Sequence, residues 1–103
     1  MRAEAQNHVD AIEKSLLLLK QRMDWETAAH RLEEFDALIE DPKLWDDQVK
    51  AQRLMRDRQA LIGQIETVQG VMRDLGDNVA LIELGEMEGD QDVVAEAEAA
   101  LAV

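Results

Sequence analysis

No cysteine occurs in the 103 residues, so a disulfide, a thiolate nucleophile and a cysteine-ligated zinc are all excluded. Tyrosine is also absent, and one Phe, one Pro and five Gly leave little of the aromatic and turn-forming content that a sheet protein uses. Ser15 is the only serine. It sits beside an apolar run in an expected helix interior, with no His-backed nucleophile geometry, and no glycine-rich phosphate loop or P-loop spacing is present. Apolar runs such as Leu16–Leu19 fall far short of a bilayer span, which takes about 18 residues or more. No charged-then-apolar secretory pattern follows Met1. A soluble cytoplasmic protein is expected, with no membrane association and no enzyme activity of its own.

What remains is 47% hydrophobic and 33% charged, rich in Leu, Ala, Glu, Asp, Gln and Arg, which is a helical composition. A chain of this length supports one modest core and buries roughly two-thirds of its unfolded surface. The formal charge is −12, unevenly placed. Residues 1–76 carry 15 acids and 11 bases, whereas residues 77–103 carry 8 acids and no base. The last quarter is therefore a poor surface for RNA or anionic lipid.

Val9, Ile12, Leu16, Leu19 and Met23 recur at steps of three and four, which predicts a helix from about Ala3 to Met23 with one buried face. Asp24 offers an N-cap for a second helix, whose stripe is Trp25, Ala28, Leu32, Phe35 and Ile39. Pro42 disfavours helix at Asp41, so this helix should end by about Glu40; Asp41-Pro42 reads as an N-cap and first helical position for a single turn. Asp46 or Asp47 caps the next element. Its seam, Ala51, Leu54, Arg58, Leu61, Ile65, Val68, Met72, Leu75, Val79 and Ile82, keeps phase across Gly76.

An interrupted helix has no reason to resume on the same seam, so one long helix from about Asp47 to Met87 is expected, with a kink near Gly76 as the alternative. Gly89-Asp90 makes a turn, and Asp90 caps a last helix over Gln91–Val103. The expected fold is all-α: a single domain over residues 1–103, an antiparallel bundle of three to four helices built on one long spine helix.

Few side chains stand out as sites. Lys50, Arg53, Arg56 and Arg58 are the densest cluster of bases but spread around the helix, so a solvated surface paired with Asp46, Asp47 and Asp57 is expected. Any RNA contact is expected at Lys50, Arg53 and Arg56. Arg58 occupies a seam position, where it either extends its stem over the core or pairs with a carboxylate of the facing helix. Trp25 and Trp45 flank turns and are expected to close helix junctions as core residues rather than to serve as exposed anchors. His8 and His30 lie on different helices without a metal-ligand constellation, and Glu83, Glu86, Glu88, Asp90 and Asp92 lack the pattern of an EF-hand loop. No metal, cofactor or small-molecule ligand is expected.

Over Arg31–Leu61, the run Pro42-Lys43-Leu44-Trp45 followed by Asp46, Asp47, Ala51-Gln52 and Leu54 resembles the amino-terminal region of bacterial peptide chain release factors, most of all the branch that reads UAA and UGA. The resemblance is close over about a third of the chain and holds in pattern over most of it. It implies a helical accessory domain facing the factor-binding region of the large ribosomal subunit near the stalk base, within a monomeric and longer factor. In that family the codon-reading tripeptide and the Gly-Gly-Gln loop that promotes peptidyl-tRNA hydrolysis lie later, and no position here matches them. Pro42, Trp45, Asp46, Ala51 and Leu54 carry over as fold determinants only. The alternative is a free-standing helical adaptor or a coiled-coil oligomer pairing through the seam Ala51–Ile82. The break in that seam at Arg58 and the extra apolar positions Leu81 and Leu84 favour packing within one chain.

Overall fold

The three-four alternation produces helices wherever it was legible. The computed structural model describes residues 1–103 and contains α1 (Ala3–Arg22), α2 (Trp25–Ile39), a short 3-10 helix (Pro42–Asp46), α3 (Gln48–Glu88) and α4 (Gln91–Leu101), with no strand. α1 carries Glu4 in its first turn and Lys20 and Arg22 in its last, each complementing the helix dipole. α3 runs through Gly76 without interruption, as the unbroken seam required.

The junctions are closed by local hydrogen bonds. The Asp41 side chain accepts from the Lys43 amide with Pro42 at the first helical position, and Asp47 Oδ1 accepts from the Lys50 amide to start α3. At the other end of α3, Gly89 takes φ 69°. The Asp90 amide donates to the Gly85 carbonyl at 2.8 Å and the Gly89 amide to Glu86 at 3.4 Å, the paired bonds of a Schellman ending. Asp90 then caps α4 through the Val93 amide.

Asp24 departs from expectation. It precedes α2 but makes no capping bond, because it adopts a left-handed conformation (φ 53°). Its carboxylate instead accepts from the Thr27 hydroxyl at 2.8 Å, and its amide donates to the Gln21 carbonyl. The residue turns the chain out of α1, and its carboxylate is held by the Thr27 hydroxyl rather than by a backbone amide of α2.

The chain forms two compact units. One comprises Met1–Leu19 and Gln69–Val103. Its core is Val9, Ile82, Ala97 and Leu101, flanked by Ile12, Leu75, Val79 and Val94. The Met1 amino nitrogen lies 2.5 Å from Glu86 Oε1, while Ile12, Leu16 and Leu19 share an apolar cleft with Val71 and Leu75, so α1 runs antiparallel to α3. Val94 packs on Gly85 and Leu101 lies with Leu75, which makes α4 antiparallel to α3 as well. Arg2 reaches the buried Glu98 with Nε and Nη2 both 2.9 Å from Oε2, fixing the start of α1 to α4; Oε1 of that carboxylate has no partner.

The other unit is Lys20–Val68. The stripe Trp25, Ala28, Leu32, Phe35 and Ile39 is buried or half-buried along α2, and Ala51, Leu61 and Val68 are buried on α3. Arg31 donates to the carbonyls of Met23 and Asp24, tying α2 to the turn before it. Arg58 Nε meets Asp36 Oδ1 at 2.7 Å, so the seam cation pairs with a carboxylate of the facing antiparallel helix.

The seam of α3 is thus used within the chain. Met72 is the exception, 42% exposed. Leu81 and Leu84 also differ from expectation. They remain 44% and 49% exposed, because α1 and α4 cover the Ile82 and Gly85 sides of α3 and no element covers this one.

Candidate functional site

The short 3-10 helix and the first three turns of α3 place the basic cluster. Successive residues of α3 advance by 100°, so Lys50 and Arg53 lie 60° apart and Lys50 and Arg56 about 120° apart. Lys50 and Arg53 therefore share a cleft of about 580 Å³ with Lys43, Leu38, Leu44 and Leu54. Arg56 is excluded from it and lies on another groove with Trp45, Gln48, Gln52 and Met55.

Lys43 joins Lys50 and Arg53 in this cleft from outside α3. It sits on the preceding turn, and only the fold back of the 3-10 helix brings it beside Lys50. The expected pairing with Asp46, Asp47 and Asp57 does not form: Lys50, Arg53 and Arg56 make no ion pair, although Asp41, Asp47 and Asp57 line the same cleft as Lys50 and Arg53. Three bases facing three acids in one cleft give a mixed rather than a positive surface.

Trp45 is not a core residue. It is 50% exposed, and its indole Nε1 donates to the Ile39 carbonyl at 3.1 Å. In a 3-10 helix neighbouring side chains are about 120° apart, so the turn that buries Leu44 carries Trp45 outward. The hydrogen bond fixes the ring against the end of α2, and the half-exposed indole lines a groove with Met55 and Arg56. Trp25, also expected in the core, is half-buried and not one of the core residues, with Lys20 Nζ 5.8 Å from its ring centre.

No three His, Asp or Glu side chains gather in a metal-binding arrangement. His30 Nε2 lies 2.9 Å from Glu34 Oε1 across one helical turn, and His8 lines a shallow cleft with Arg2, Glu4 and Glu98. No helix is long and apolar enough to cross a membrane.

No protein-family model matches the chain. Peptide chain release factor 2 of Ruegeria sp. (strain TM1040) is 61% identical over 98 residues, 95% of this chain and 26% of the relative. This chain is homologous to a segment of that protein. The Roseobacter denitrificans protein of the same name is 56% identical over 101 residues, 98% of this chain and 27% of that protein. Peptide chain release factor 2 of Paramagnetospirillum magneticum is 45% identical over 98 residues, 95% and 26%. The chain spans about a quarter of the length of the curated relatives it matches.

In this chain the residues Pro42, Trp45, Asp46, Ala51 and Leu54 map onto one corner of the fold. Pro42 opens the 3-10 helix, Asp46 ends it, Ala51 is buried and Leu54 half-buried on α3, and Trp45 faces outward.

Proposed function

We propose that this chain is the helical accessory domain of a peptide chain release factor acting in translation termination at UAA and UGA, and that it helps position the factor on the ribosome. The observation that carries the reading is similarity to release factor 2 along almost the whole chain. Codon reading and peptidyl-tRNA hydrolysis then fall to parts of a longer protein, since no Gly-Gly-Gln occurs in these residues. Residues 1–103 act as one accessory domain, and the partner is the factor-binding region of the large subunit near the stalk base. Lys50 and Arg53, with Lys43 beside them, are the proposed ribosome-facing bases; Arg56 belongs to the separate Trp45 face. A domain of this kind lowers the factor concentration needed for release and leaves the chemical step alone, because binding energy spent away from the reacting bond acts on KM when it is uniform.

The test is peptide release by the intact protein that carries these residues, on ribosomes programmed with UAA, UGA or UAG. Release at UAA and UGA but not UAG is expected, and deletion of residues 1–103 should raise KM about tenfold or more with kcat retained. Release at UAG, or a deletion that leaves KM unchanged, contradicts the proposal.

A further inference from the structure

The side of α3 left open by α1 and α4 combines exposed apolar side chains with charge of one sign. Leu81, Leu84 and Met87 fall within about 120° of arc on the helix. They are 44%, 49% and 85% exposed. Large apolar side chains grouped on a surface mark sites of association. Around them the charge has one sign: Asp77, Glu83 and Glu88 border the stripe, and no base occurs from residue 77 onward. The nearest base on the helix, Arg73, lies about two turns before Leu81 and is oriented toward Asp74, 3.8 Å away.

We infer that this face is a docking surface for a basic amphipathic helix of a protein partner. Apolar side chains of such a helix cover Leu81, Leu84 and Met87, and its Lys or Arg residues meet the acidic border, which is the helix-on-apolar-face mode of recognition with charge setting the partner. Nucleic acid and anionic lipid are repelled by the same border. A second copy meeting this face with its own would set one acidic border against another.

The test titrates the isotope-labelled protein with a synthetic helix of about five turns carrying Leu at i, i+3, i+4 and i+7 spacing and Lys elsewhere. A scrambled peptide of the same composition is the control. Amide shifts are expected to cluster at residues 80–88. Scrambling the peptide, or Leu84→Ser in the protein, should each weaken binding about tenfold or more, as loss of an interface anchor does. Leu17→Ser, which removes an exposed leucine from α1, should leave the affinity unchanged. Equal affinity for the scrambled peptide overturns the inference, as do shifts centred elsewhere. A dimer abolished by Leu84→Ser, or shifts at 80–88 produced by an RNA oligonucleotide or by anionic vesicles, assigns the face to another occupant and overturns it equally.

Discussion

Trp45 shows how far a single side chain can be read from sequence. The residue sits at a helix junction, where tryptophan is ordinarily buried, yet the tight turn from Pro42 to Asp46 has room for one inward side chain and Leu44 takes it. Burial was illegible because residue type and position were both compatible with it; what decides is the 3-10 rotation, which hydropathy spacing does not encode. Full loss of a buried tryptophan costs about 3–5 kcal/mol. With half the ring already in water, Trp45→Ala should cost about 2 kcal/mol in denaturant unfolding. A loss of 4 kcal/mol or more, on the same order as a buried ring, would place the indole in the core after all. Asp24 is a second residue whose role sequence misassigned, since Asp serves both helix caps and left-handed turns and only the backbone angle separates them.

At the scale of elements, α3 was the most legible part of the chain. Its seam held phase over ten positions, and the helix follows it from Gln48 to Glu88 even though four glycines lie within it. Arg58 was legible as a seam cation in need of a partner, and Asp36 of α2 supplies one. Periodicity names the face of a helix and not its neighbours, which is why Leu81 and Leu84 were expected to be covered and are not. Two of the glycines separate packing from propensity. A Cβ at Gly76 meets nothing within 4 Å, so Gly76→Ala should stabilise the protein by about 1 kcal/mol. A Cβ at Gly85 meets Val94 Cγ2 at 2.8 Å and the Asp90 carbonyl oxygen at 3.1 Å, so the same substitution there should destabilise by about 1–3 kcal/mol. Thermal unfolding of the two variants checks this, and shifts of the same sign would refute the α4 packing described.

For the whole molecule, the decisive fact is that the longest apolar seam is consumed internally. Ala51, Leu61 and Val68 are buried in one unit, and Ile82 is enclosed by Val9, Ala97 and Leu101 in the other. A coiled-coil oligomer paired through that seam would have to undo both. Sedimentation over a hundredfold concentration range should therefore show one monomeric species; a dimer that Leu61→Glu converts to folded monomer would restore the oligomer reading. The basic cluster shows the limit of sequence at this scale: Lys50 and Arg53 were found, but the company of Lys43 and the separation of Arg56 depend on how the chain folds back before α3.

The most direct measurement replaces the matching segment of the Ruegeria release factor 2 relative with this chain and compares release at UAA and UGA for the parent, the exchange and a deletion of the segment. A KM for ribosomes within about threefold of the parent, under 1 kcal/mol of binding free energy, is expected for the exchange. An exchange protein no better than the deletion would contradict the assignment of this chain as a release factor accessory domain.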